Sequence, residues 1–187
     1  MSTLTAEQQE KIRCFLNDRH IVAGLGNEEE ACSIAAINLA LTGRLTDEIP
    51  SCMSEVIGKW IIGVQDSMPD ELRNSDEWRE LLPLAAGSGR QYERERAAII
   101  LDWMWSTALP QLQPLADSFG FGKQWLAMTT EKTGQAAMAA WEAAWEEEGE
   151  AARAAYWNAV DPVSVLRRLI EVGDQYFTRK YTRKAKQ

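Results

Sequence analysis

The sequence predicts an all-α fold: a single compact domain of about seven to nine helices with an alanine-rich helical arm near the C-terminus. Apolar residues recur at three- and four-residue spacings along most of the chain, as they do on one face of a helix. Capping residues, glycines and prolines punctuate these stretches, and no strand-length alternation of apolar and polar residues competes with them. With 187 residues and a hydrophobic fraction of 45%, the chain can bury a core without metals or disulfides.

The first predicted helix begins after Thr5. Threonine is a favoured capping residue, and Gln8, three residues later, is its reciprocal partner in a capping box. Ile12, Phe15 and Leu16 then form the apolar stripe of this helix.

The second predicted helix begins after Asn27. Residues 28–30 are glutamates, and carboxylates in a first turn are stabilised by the positive end of the helix dipole. We therefore interpret them as a helix start and not as a metal or catalytic cluster. Residues 31–41 are apolar nearly all round, so this helix should be central, and Gly43 should end it.

A third helix is predicted from Thr46 to Ser67. Its apolar face consists of Met53, Val56, Ile57, Trp60, Ile61 and Val64. Gly58 and Gly63 should let another helix approach closely.

Two short helices are predicted over residues 70–73 and 75–82, and Pro83 should end the second. A long helix is predicted over residues 90–109, and Pro110 should divide it from the next helical segment.

In the last third of the chain, residues 123–129 are predicted to be helical, and Thr130 is the predicted cap of the alanine-rich helix. Asp161 and Pro162 predict the start of the last helix, because Asp is a favoured cap and Pro is favoured at the first helical position. The predicted inner face of that helix is Val163, Leu166, Leu169, Ile170, Tyr176 and Phe177.

These elements suggest three segments. We predict a helical core over residues 1–122, an alanine- and tryptophan-rich segment packed on it over residues 123–177, and a basic tail over residues 178–187.

An apolar stripe runs along the alanine-rich segment. It consists of Met138, Trp141, Trp145, Ala152 and Tyr156, which fall at helical spacings. Alanine at the intervening positions makes a slim helix with high intrinsic propensity. Such a helix packs closely against its neighbours, either within the domain or across an interface with a partner.

Negative charge is concentrated in the body of the chain. The formal net charge is −8, and residues 167–187 carry seven Lys and Arg against two acidic residues, so the first 166 residues carry −13. Such a body repels phosphate, and we expect no direct binding of nucleic acid through it.

Candidates for catalysis and metal binding are few. His20 is the one histidine, and Cys14, Cys32 and Cys52 are widely spaced with no Cys-x-x-Cys pair. Cys14 lies six residues before His20, which places the two on different faces of a helix. We therefore predict free thiols, no metal site, no cofactor and no catalytic residue.

The Gly87-Ser88-Gly89-Arg90 stretch precedes a helix start, a place that can hold an anion. It lacks the preceding strand and the lysine of a phosphate-binding loop, so we interpret it as a plain loop. No apolar run reaches membrane-spanning length and no signal peptide opens the chain, so a reducing cytoplasmic location is expected.

The stretch EACSIAAINLALTGRLTDEIP, residues 30–50, followed later by an Ala/Trp/Arg-rich helix, resembles helical proteins of unknown function encoded in bacterial and phage genomes. The resemblance covers most of the chain, although the alanine-rich arm here is comparatively short. It implies a prokaryotic or phage, intracellular setting and brings no assigned activity.

From these features we predict a non-enzymatic, acidic protein-binding module. Its most concrete form is a phage-type inhibitor of a host defence complex, similar to an anti-CRISPR protein, that docks on a basic nucleic-acid-binding surface. The predicted contact residues are Trp141, Glu142, Trp145, Glu146 and Glu147, because acids beside indole rings suit arginine-rich protein surfaces.

Two alternatives stay open. One is a self-assembling structural homodimer with the alanine-rich helix as its seam. The other is a small-ligand sensor or enzyme with an interhelical pocket lined by Trp60, Trp103 and Trp105.

Overall fold

The computed structural model describes residues 4–131 and 150–172, and this part of the chain is helical with connecting loops. The α-helices are α1 (Ala6–Asn17), α2 (Ser33–Thr42), α3 (Glu55–Gln65), α4 (Asp70–Arg73), α5 (Asp76–Ala86), α6 (Glu93–Trp103), α7 (Gln113–Ser118), α8 (Gly122–Glu131), α9 (Glu150–Val160) and α10 (residues 162–172). Within the described ranges β-structure is limited to isolated bridges that pair Ile21 and Gly26 with Ala31. The all-α prediction is confirmed. No described helix is both long and apolar enough to cross a bilayer.

The chain divides into two compact units. Unit 1 contains the residues up to Ala97 and those from Pro162 onward, and unit 2 contains Ala98–Asp161. The segments predicted from sequence, 1–122, 123–177 and 178–187, divide the chain differently and stay a prediction.

Helix α2 forms the centre of unit 1, where it contacts α1, α3 and α5. All its side chains from Ser33 to Asn38 are buried. Gly43 ends the helix in the left-handed region, at φ 73°. The predicted central helix and its glycine cap are therefore confirmed, as is the Thr5–Gln8 capping box of α1.

The predicted start of the second helix is wrong. The Asn27 side chain accepts hydrogen bonds from the amides of Glu29 (2.8 Å) and Glu30 (3.1 Å), and so closes a turn in place of a helical first turn. Helix α2 begins five residues later than predicted, at Ser33, where the Cys32 sulfur accepts from the Ala35 amide at 3.3 Å. Residues 27–30 form an exposed loop, and the bridges to Ile21 and Gly26 hold the buried Ala31 that follows it.

The predicted start of the third helix is also wrong. Residues 46–53 form a loop that the Asn38 side chain holds by donating to the carbonyls of Thr46 and Glu48, each at 2.8 Å. Helix α3 begins at Glu55 with Ser54 as its cap.

A Cβ added at Gly58 would lie 2.6 Å from the Ile49 side chain, so this glycine admits the loop and not another helix. Around Gly63 there is open space, and no close approach occurs there.

Two further boundaries differ from the prediction. Helix α5 continues through Pro83 to Ala86, because the proline removes one hydrogen bond while Leu82, Ala85 and Ala86 are buried in this turn. Thr130 lies inside α8 and donates its hydroxyl to the Leu126 carbonyl at 2.7 Å, so it does not cap a following helix.

The region around the prolines behaves largely as predicted. Helix α6 starts at Glu93, after Tyr92 at φ 65°, and passes through a π-helical turn, Met104–Ala108, before Pro110 divides it from α7. Asp161, at φ 45°, separates α9 from α10.

On α10, Leu166 and Leu169 are buried as predicted. Val163 and Ile170 are half-buried, and Val165, which was not predicted, is buried. Tyr176 and Phe177 lie outside the described residues.

Candidate functional surface

The five predicted contact residues, Trp141, Glu142, Trp145, Glu146 and Glu147, all lie outside the described residues, as does the basic tail 178–187. Their role therefore stays a prediction.

The described end of the apolar stripe is part of a core. Tyr156 is 7% exposed, and its ring meets that of Trp157 edge-on at a centroid distance of 5.3 Å. Burial raises the pKa of the Tyr156 hydroxyl well above its ordinary value. At this end of α9, the aromatic residues pack inside unit 2.

The other described tryptophans are at least half-buried. Trp60 and Trp78 pack together in unit 1, with ring centroids 6.3 Å apart, and the Trp78 indole donates to the Ser33 hydroxyl. In unit 2, the indoles of Trp103 and Trp125 donate to the carbonyls of Val160 and Leu109. None of the six tryptophans in the described part of the chain is exposed.

The pocket hypothesis names residues from both units. Trp60 belongs to unit 1, and Trp103 and Trp105 belong to unit 2. The Trp60 indole packs on Trp78 of unit 1, and the Trp103 indole is bonded to Val160 of unit 2.

His20 forms a half-exposed pair with Asp70, whose Oδ1 lies 3.1 Å from the imidazole Nε2. The same carboxylate oxygen accepts from the side chains of Arg73 (3.2 Å) and Asn74 (3.3 Å). Within the described residues, no thiol or hydroxyl hydrogen-bonds to the imidazole, so this pair lacks an activated nucleophile.

The three cysteines are free thiols. Exposed Cys14 donates to the Glu10 carboxylate at 3.5 Å, and that hydrogen bond raises the pKa of the thiol. Burial raises the pKa of Cys52. Raised values disfavour the reactive thiolate, and no cluster of His, Cys, Asp and Glu in the described ranges is suited to hold a metal ion.

The loop Gly87-Ser88-Gly89-Arg90 turns its polar groups inward. The Ser88 hydroxyl accepts from the Ser54 amide (2.9 Å), and the Gly89 amide donates to the Cys52 carbonyl (2.9 Å). Because these groups bond within the protein, the plain-loop interpretation fits better than an anion site.

Sequence reasoning missed three inward-turned arginines. Arg73 is 7% exposed and donates to the carbonyls of Ile21, Gln65 and Met68. Half-buried Arg79 donates to the carbonyls of Leu16, Arg19 and Asn74. Arg96 is 1% exposed and also donates to backbone carbonyls. Sequence alone does not distinguish these residues from exposed arginines such as Arg94.

The inward-turned arginines leave a strongly acidic surface. Residues 4–97 contain 17 acidic residues, of which 15 are exposed and two, Glu93 and Glu95, are half-buried. The same residues contain ten Lys and Arg, of which only five are exposed. The exposed cations are Lys11, Arg44, Lys59, Arg90 and Arg94. The surface is therefore more acidic than the formal charge of these residues indicates.

Comparison of the chain with known protein families, with curated proteins and with solved structures finds no match.

Proposed function

We propose that this protein is a non-enzymatic binding module whose acidic surface docks on a basic protein surface. The observation that carries the proposal is the contrast between 15 exposed carboxylates and five exposed cations over residues 4–97. A surface that carries charge of one sign attracts a surface of the opposite sign and raises the rate of association with it. It also repels phosphate, so a protein partner is favoured over nucleic acid.

In its most concrete form the proposal is a phage-type inhibitor, similar to an anti-CRISPR protein, that covers the nucleic-acid-binding surface of a host defence complex. An acidic surface can occupy a basic groove in place of phosphates. The proposed anchors are Trp141 and Trp145, with Glu142, Glu146 and Glu147 beside them, because aromatic residues carry much of the energy at interfaces.

A capture experiment tests this proposal. The full chain is immobilised and exposed to lysate from bacteria with an active CRISPR complex, and retained proteins are identified by mass spectrometry. We expect retention of a basic nucleic-acid-binding protein at about 0.1 M salt and its release near about 0.5 M, since salt screens surface charge. Retention of no such protein, or retention that is insensitive to salt, contradicts the proposal.

Variants assign the anchors. Trp145→Ala/Glu146→Lys should abolish retention, whereas Glu7→Lys, which makes the same charge reversal on α1, should reduce it only slightly. Equal retention of the partner by the wild type and the double variant would show that Trp145 and Glu146 are not the anchors.

Self-assembly as a homodimer is the second candidate. Three large apolar side chains of unit 2 are exposed: Leu101 (53%), Phe119 (43%) and Leu126 (58%). Light scattering over a range of concentrations decides this candidate, because a mass that stays at the monomer value excludes it.

A further inference from the structure

Arg96 is a buried cation whose described hydrogen bonds all go to backbone carbonyls. Its NH1 donates to Gly89 and Gln91, each at 2.8 Å, and its NH2 donates to Ser88 at 3.0 Å. Its Nε donates to Leu169 at 3.0 Å. Three of these carbonyls are local, and the fourth belongs to α10.

The Leu169 contact joins two pieces of unit 1 that are far apart in sequence. Arg96 lies near the end of the first piece, and Leu169 follows it by 73 residues. Helix α10 is the only described part of unit 1 that comes after unit 2 in the chain. Closing unit 1 therefore requires α10 to return and dock.

The docked face of α10 combines apolar burial with this polar contact. Val165 is 3% exposed, and Leu166 and Leu169 are fully buried. The apolar side chains provide most of the docking energy, because their burial removes apolar surface from water. The guanidinium fixes the register by binding one particular carbonyl.

Burial of the cation reduces, without reversing, the net stabilisation that the Arg96 hydrogen bonds give to this seam. Removal from water penalises the charged form, so burial lowers the pKa of Arg96, although Glu93 and Glu95 oppose that shift. When α10 leaves, water can reach the guanidinium and restore part of its hydration. This hydration offsets part of the free energy needed to separate α10 from unit 1.

We propose that α10 is a strap that docks on unit 1 and leaves it as one cooperative element, with Arg96 as its latch. Elements of a folded protein can open locally at a free energy below that of global unfolding.

Hydrogen exchange of the full chain, read by mass spectrometry, tests the strap. In low denaturant, we expect the amides of residues 162–172 in the wild-type protein to exchange together and earlier than those of α2. Arg96→Met should speed their exchange by about tenfold, as loss of a hydrogen bond to a charged group predicts, and leave α2 protected.

Arg73→Met is the matched control. Arg73 is also buried and bound to carbonyls, but its described partners lie in residues 21–70. This variant should not speed exchange of residues 162–172 selectively. If Arg96→Met does not fold, the wild-type measurement still decides. Exchange of residues 162–172 and α2 in one global step overturns the proposal, as does unchanged exchange in a folded Arg96→Met variant.

Discussion

At the scale of single residues, arginines turned into the protein organise the loops of unit 1. Loop carbonyls have no helical partner, and a guanidinium offers several donors in a fixed planar arrangement. Arg73 binds carbonyls of the segments before α4, Arg79 binds carbonyls at the end of α1 and just after α4, and Arg96 binds the loop before α6. These contacts satisfy buried backbone groups at the cost of removing charge from water.

Two glycines of α3 give a direct test of packing. Gly58→Ala should destabilise the protein by about 1–3 kcal/mol, because the new methyl group would overlap the Ile49 side chain. Gly63→Ala, in the same helix with open space around it, should stabilise by about 0.5–1 kcal/mol. Denaturant unfolding of both variants measures the difference, and equal effects at the two positions would contradict the packing at Ile49.

Tyr156 gives a test through alkaline pH. Its pKa in the folded protein is raised above the ordinary value of 10, so in strong base the unfolded chain loses this proton first. The contribution of buried Tyr156 to the unfolding free energy is therefore complete below the ordinary pKa. It is lost as the pH rises above that value and through the raised pKa of the folded protein. At pH near 11, the wild type should have lost about 1 kcal/mol more of its unfolding free energy than Tyr156→Phe. Parallel pH profiles for the two proteins would show that the hydroxyl is not buried.

At the scale of elements, the N-terminus of α3 is capped by Ser54 together with a residue that is distant in sequence. The Glu93 carboxylate accepts from the Ser54 hydroxyl (2.9 Å) and from the amides of Glu55 (3.2 Å) and Val56 (3.0 Å). A carboxylate at this end also complements the helix dipole. The start of α3 is therefore set together with the start of α6, which Glu93 begins.

The cap can be tested by comparing two glutamates of α6. Glu93→Ala should destabilise the protein by about 1–3 kcal/mol, because three donors at the start of α3 lose their acceptor. Glu95→Ala removes the same charge two residues away and should stay within about 0.5 kcal/mol of the wild type. Thermal and denaturant unfolding measure both, and similar losses in the two variants would indicate a general charge effect.

The start of an element was harder to predict than its existence. The local signals near Asn27 and Thr46 are genuine capping chemistry, yet both residues are used in loops. At the start of α2, bridges to Ala31 compete with helix formation, and at the start of α3 the Asn38 side chain holds the preceding loop. These competitors come from other parts of the chain, so a local pattern does not reveal them.

At the scale of the whole molecule, the chain forms two units of which the first is discontinuous. The sequence predicted a single domain followed by an arm, because hydrophobic periodicity identifies helices without showing which of them pack together. Helix α10 returns to the first unit through Leu169 and its apolar neighbours, and the Asp161-Pro162 signal marks where it starts but not which unit it packs on.

By itself, the sequence determined the helical class, the central apolar helix with its Gly43 end, the capping box at Thr5 and the break at Asp161. Those features depend on residues close together in the chain, so local periodicity and capping chemistry are enough to specify them. The tertiary structure alone decided which arginines turn inward, where α2 and α3 begin, and how residues 162–172 close unit 1. It also decided how acidic the surface of residues 4–97 is, since exposure of a charge depends on partners that only folding brings together.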